Sequence, residues 1–123
     1  MASVLVIDDD AAMRRMVVRT LSAKGHAVAE AENGEAGLEA MEHGEPAVMI
    51  TDILMPKTEG IETITKAKER FPKTRIIAMS GGGMSRNLMF LDVARALGVD
   101  ATLAKPFRPA QLVDAVARVL AAR

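Results

Sequence analysis

The chain has 123 residues, half of them hydrophobic and about a quarter charged, which is the profile of one globular domain with a real core rather than of a disordered segment. Lys and Arg total 16 and Asp and Glu total 16, so no net field recruits nucleic acid or an anionic membrane, and zero cysteines exclude disulfides, thiolate metal sites and a cysteine nucleophile. No apolar run approaches 18 residues and no signal-peptide pattern opens the chain, so the expected location is cytoplasmic; with neither Trp nor Tyr there is no aromatic platform for stacking a base or a flavin.

The first predicted strand, Val4–Ile7, runs straight into Asp8, Asp9 and Asp10. Neighbouring carboxylates repel, so either the three fan out into solvent or something positive sits among them. Met13, Met16, Val17 and Leu21 then keep helical spacing. A second strand is predicted over Ala27–Ala31 and a helix around Leu38 and Met41; a third strand, Val48–Thr51, delivers Asp52 and leads to a helix through Ile61, Ile64 and Ala67. The fourth strand, Arg75–Met79, delivers Ser80 and precedes a helix marked by Leu88, Leu91, Ala94 and Leu97. The fifth, Ala101–Ala104, delivers Lys105 before a last helix marked by Leu112, Val113, Val116 and Leu120, with Pro109 suited to its first turn. Gly25, Gly44 and Gly98 follow three of these helices, where a left-handed residue is expected to end them.

Five strands alternating with five helices predict an α/β fold, (βα)₅, in which the crossovers make a parallel sheet covered on both faces. All strands of such a sheet end on one edge, and ligands bind there. Asp8, Asp9, Asp52, Ser80 and Lys105 therefore converge, whereas the second strand ends in nothing comparable and suits an edge position. Close carboxylates without His or Cys suit a hard cation, Mg²⁺ first, and a carboxylate beside such an ion can attack phosphorus while lysine and hydroxyl stabilise the phosphoryl oxygens. Each residue also has a plainer use. An acidic cluster can merely cap a helix, which is all that Asp10 need do. A single Asp can close a turn, Lys-Pro can be an ordinary loop, and His26 and His43 read as solvated surface residues. The placement of all the signals on one predicted edge favours a site.

"VLVIDDDAAMRR", "MITDILMPKTEG", "IIAMSGG" and "TLAKPF" occur in that order, and the chain carrying them resembles a response-regulator receiver domain of the bacterial chemotaxis type. The resemblance implies a flavodoxin-like, doubly wound five-stranded parallel sheet of order 2-1-3-4-5, with one receiver domain over residues 1–123 and no effector domain. It implies Asp52 as phosphoacceptor, Mg²⁺ bound directly by Asp9 and Asp52 and by the Leu54 backbone carbonyl, and Asp8 acting mainly through water. Ser80 would bond a phosphoryl oxygen, Lys105 would pair with Asp52 or its phosphate, and the Lys105–Pro106 bond would be cis. The position where many relatives carry a switching aromatic, three before the lysine, is Thr102 here.

The function expected is that of a two-component phosphorylation switch, assisting its own phosphorylation and dephosphorylation rather than turning over a substrate. Its partners would be a histidine kinase or histidine phosphotransfer protein, approaching near Met13 and Met16, and a downstream protein on the fourth helix, fifth strand and fifth helix, including Met89 and Phe107. Neither nucleic acid nor membrane is an expected partner, and the expected state is a monomer. The alternative is a receiver-like docking module that works without phosphorylation. An aspartyl-phosphate hydrolase fits less well, since Asp52 is followed by Ile53-Leu54 rather than D-x-D and nothing resembles a cap.

Overall fold

A computed structural model describes residues 2–53, 59–81 and 92–122. In chain order the elements are β1 (Ser3–Ile7), α1 (Ala11–Ser22), β2 (Ala27–Ala31), α2 (Gly34–His43), β3 (Val48–Asp52), α3 (Glu59–Arg70), β4 (Arg75–Ser80), α4 (described over 92–96), β5 (Ala101–Ala104) and α5 (Pro109–Ala121). The sheet is parallel throughout and ordered β2-β1-β3-β4-β5, as the resemblance implied.

Period-two alternation within the strands divides the core into two layers. Val4 and Val6 of β1, Val48 and Ile50 of β3, and Ile77 and Met79 of β4 face α1 and α5, where Val17, Leu21, Leu112, Val116 and Val119 bury their side chains. Leu5, Ile7, Met49, Ile76 and Ala78 face the opposite way and pack with Leu38, Met41, Ile64, Ala67, Phe71 and Ala94 of the α2–α4 side. Met13 and Met16 are half-buried against the α1–α5 layer, and Met79 is fully buried. β2 contributes only Ala31 to the buried core, in keeping with its edge position.

Helix ends follow local chemistry. Asp10 Oδ1 accepts from the amides of Ala12 (2.9 Å) and Met13 (3.3 Å), capping α1; Asn33 Oδ1 accepts from Ala36 N (2.8 Å) at the start of α2. Pro109 opens α5, and Gln111 Oε1 accepts from Arg108 N at 2.7 Å. Gly25 and Gly98 adopt φ of 89° and 80°, the left-handed conformation expected of them. Gly44 does not: its φ of 177° is extended backbone, because the chain leaves α2 directly toward Pro46, whose carbonyl is held by Thr74 Oγ1 at 2.9 Å. His26 also departs from expectation. It is half-buried, and its Nδ1 accepts from Ala2 N at 3.2 Å, tying the start of β2 to that of β1. Among the described residues no helix is long and apolar enough to cross a membrane.

Candidate functional site

Both strands that carry central site residues run one position further than their apolar patterns, so Asp52 and Ser80 belong to the sheet itself. Asp52 pairs with Met79, Ile53 N donates to Met79 O at 2.9 Å, and Lys105 N donates to Ser80 O at 2.6 Å. These bonds fix the backbone under both side chains. Gly60, near the start of α3, fixes it from the other side. A Cβ there would stand 2.6 Å from Asp52 O and from Ile53 Cα, so only glycine lets α3 lie against the backbone of the acid-bearing turn.

The charges converge on this edge. Asp8 is fully buried, and both its carboxylate oxygens are engaged: Oδ1 accepts from Asp10 N at 2.9 Å and Oδ2 from Lys105 Nζ at 2.8 Å. The same Nζ donates to Asp52 Oδ2 at 2.8 Å. Burial disfavours the Lys105 ammonium, but hydrogen bonds to Asp52 and Asp8, reinforced by their coulombic attraction, outweigh it and raise the pKa above the ordinary lysine value. Lys105 thus supplies the positive charge that the run of three acids called for. Asp9 projects to the surface beside this pair.

Asp8, Asp9 and Asp52 each offer a carboxylate oxygen, and these atoms lie within 4.8 Å of one another. Opposite ligands on an octahedral Mg²⁺ stand about 4.2 Å apart, so the three are close enough to share one ion, directly or through its water, and an all-oxygen donor set suits a hard cation. The group fits the residues present. A hollow of about 870 Å³ between α2 and α3, lined by Glu35, Leu38, Glu39, Glu42, Glu59 and Glu62 among others, contains none of the converging residues. Asp8 and Asp52 are buried and Asp9 is exposed, so the cluster meets the surface at Asp9.

Sequence reasoning gave no role to Arg14. Its Nη1 donates to the Asp8 carbonyl at 2.6 Å and its Nε pairs with Glu30 Oε1 at 3.0 Å, so a β2 side chain reaches the acidic turn through Arg14, beside the direct backbone bond from Asp8 N to Ala31 O. The signal was available in "AMRR" one turn beyond the acids and in the acidic pattern of "AVAEAE".

Of the residues the sequence nominated, Asp8, Asp9, Asp52 and Lys105 meet in space, and Ser80 lies fully buried at the end of β4, beside them in the sheet. Asp10 points into the α1 cap. Lys105–Pro106 is cis. Thr102 is half-buried in β5 opposite Ala78, and Phe107 is half-buried against the α1–α5 core. Leu54, Gly82, Gly83, Leu88, Met89 and Leu91 lie outside the described residues.

Comparison with known proteins agrees with this arrangement. The family model for the response regulator receiver domain matches residues 4–117. The chain is 33% identical to the chemotaxis protein CheY of Thermotoga maritima, over 94% of this chain and 95% of that protein. It is 32% identical to the response regulator receiver protein CpdR of Brucella abortus, over 99% of each. Among solved structures, chemotaxis response regulator CheY4 of Vibrio cholerae superposes with a TM-score of 0.85 at 30% identity, covering 97% of this chain and 98% of that one. The chain belongs to the response regulator receiver domain family of two-component systems.

Proposed function

We propose that this receiver domain accepts a phosphoryl group on Asp52 from a histidine kinase or histidine phosphotransfer protein, with Mg²⁺ bound by Asp9, Asp52 and the Leu54 carbonyl, and that the acyl phosphate changes its affinity for a downstream protein. The observation that carries the reading is the shared hydrogen bonding of Lys105 to Asp8 and Asp52 beside the third carboxylate of Asp9. An Asp52 oxygen attacks phosphorus, the P–N bond of a donor phosphohistidine breaks, and the imidazole nitrogen leaves with the electron pair. Lys105 follows the charge from carboxylate to phosphoryl oxygen, and the Ser80 hydroxyl supplies a further donor. Asp8, with both oxygens engaged, suits contact with the ion through water. Bound there, Mg²⁺ would offset the mutual repulsion of the acids and the charge of the incoming phosphoryl group.

Output is assigned to the face formed by α4, β5 and α5, and the donor to the strand-end edge beside α1. The test is labelling with a small acyl-phosphate donor. Wild type should incorporate phosphate only with Mg²⁺, and Asp52→Asn should not incorporate it. Labelling of Asp52→Asn at the wild-type level would overturn the assignment, and an unlabelled wild type that still captured a partner would favour docking without phosphorylation.

A further inference from the structure

Among the described residues Arg14 is a second cation at the acidic edge, and the phosphoryl chemistry above makes no use of it. Its side chain is 16% exposed, and two of its donors are directed at different elements: Nη1 at the Asp8 carbonyl, the last backbone acceptor before the turn, and Nε at Glu30 on the edge strand. Asp8 itself is gripped at four points. Its amide donates to Ala31 O (3.2 Å), its carbonyl accepts from Arg14, and its two carboxylate oxygens accept from Asp10 N and Lys105 Nζ. Every one of these contacts except Arg14's is made by a strand neighbour, the turn or the site lysine. Arg14 ties the turn to the helix that follows it, and Glu30 holds the planar guanidinium in the orientation that the carbonyl needs.

We infer that Arg14 is a positioning residue for the metal site, its guanidinium bracing the Asp8–Asp10 turn between α1 and β2 so that the Asp8 and Asp9 carboxylates face Asp52. The inference rests on the Mg²⁺ reading given above. Charge and geometry make opposite predictions for its removal. A cation beside a divalent-ion site opposes the ion, so deleting it on charge grounds alone tightens Mg²⁺ binding. Loss of a brace behind the ligands weakens it, by about tenfold where an outer hydrogen-bond partner of a metal ligand is removed. The sign of the effect therefore separates the two roles. Arg14→Lys keeps the charge without the planar fork, and so weakens binding nearly as much as Arg14→Gln. Glu30→Gln leaves Arg14 in place with a poorer anchor and weakens it less.

The test is calorimetric titration of wild type, Arg14→Gln, Arg14→Lys and Glu30→Gln with Mg²⁺, at a temperature where circular dichroism finds all four folded, together with amide exchange of the metal-free proteins. Both Arg14 variants should bind Mg²⁺ about tenfold more weakly. In the absence of metal the Asp10 amide, which donates to Asp8 Oδ1, should exchange faster in them, while the Ala27 amide on β2 keeps its wild-type rate. That local pattern separates bracing from a general loss of stability, which would quicken both amides. Unchanged or tighter Mg²⁺ binding in Arg14→Gln, or Asp10 exchange equal to wild type, overturns the inference. A wild type that bound no Mg²⁺ would bring down the metal reading instead, and Asp10 exchange would still decide whether Arg14 braces the turn.

Discussion

The Lys105 ammonium lies 2.8 Å from a carboxylate oxygen of Asp52, and the same nitrogen lies 2.8 Å from Asp8, 97 residues away in sequence. One cation thus holds two buried acids from different strands, and removing it leaves them facing each other in a site with little water. Lys105→Met should lower the stability of the metal-free protein by about 3 kcal/mol, within the range for breaking a buried ion pair. Added Mg²⁺ should recover much of the deficit, because the ion takes over the neutralising role. Thermal melts by circular dichroism, with and without Mg²⁺, check both parts. A deficit independent of Mg²⁺ would mean that the lysine acts through packing alone.

The pH dependence of that contribution follows from the raised pKa of Lys105. A group that gains protons more readily in the folded state stabilises the fold fully below its unfolded pKa, and loses that contribution as pH climbs through the folded one. The stability difference between wild type and Lys105→Met, measured without metal, should be flat from pH 7 to about 9 and should shrink only above the ordinary lysine value near 10.4. A difference that faded near neutrality would contradict the ion-pair account.

Asp9 and Asp10 are adjacent carboxylates with separate duties, and mutation should part them. Asp10→Ala removes the α1 cap and should cost about 1 kcal/mol of stability while leaving Mg²⁺ binding near the wild-type level. Asp9→Ala removes an exposed charge from a repelling group, so it should leave the metal-free protein at least as stable and largely abolish the rise in Tm on adding Mg²⁺. An Asp10→Ala protein without a Mg²⁺ response would show that the third acid belongs to the metal site.

Gly60 offers a test of how tightly the Asp52 backbone is held. Gly60→Ala forces a methyl group to within 2.6 Å of Asp52 O, and the contact is with backbone that the sheet prevents from yielding. The expected result is a loss of about 1–3 kcal/mol, the range for overpacking, with slower labelling by a small phosphodonor in the fraction that remains folded. Wild-type stability and labelling together would show that α3 can retreat freely.

Much of this was legible before the structure because strand ends converge by topology. Once the alternation of apolar strands and amphipathic helices was read as (βα)₅, Asp8, Asp52, Ser80 and Lys105 had to meet at one edge. Asp10 was legible as a helix cap, but which amides it holds, those of Ala12 and Met13, depends on turn dihedrals that composition does not carry. Arg14 escaped for a related reason. Its importance comes from pairing with Glu30 across 16 residues on an edge strand whose own end looked empty. Gly44 misled because a glycine after a helix was read as left-handed when the following path to Pro46 required an extended one. Gly60 was visible within "MITDILMPKTEG", but the contact that excludes a side chain belongs to the packing of α3 on β3.

The Ser80 backbone is locked into the sheet by Lys105 N, so the Ser80 hydroxyl can turn toward a phosphoryl oxygen only by rotating its own side chain, and backbone change begins at Gly81. Gly81 lies along the aliphatic stem of Lys105, where an added Cβ would meet Lys105 Cδ at 3.5 Å, so it also adjoins the residue that follows the new charge. At the far end of α4 the chain is anchored: Lys68 Nζ donates to Gly98 O at 2.9 Å, and Asp100 exchanges hydrogen bonds with Ile76 through its amide and its Oδ2, each at 2.8 Å. A shift that starts at Gly81 therefore meets a fixed point at residues 98–100. With an acyl-phosphate mimic and Mg²⁺, amide exchange at Gly81 should slow in wild type, while the Asp100 amide keeps its rate. Ser80→Ala should still bind the mimic through Lys105 and the acids, but the slowing at Gly81 should be lost. Equal slowing in Ser80→Ala would place the coupling elsewhere, and a change at Asp100 as large as at Gly81 would show that the whole segment moves as one body.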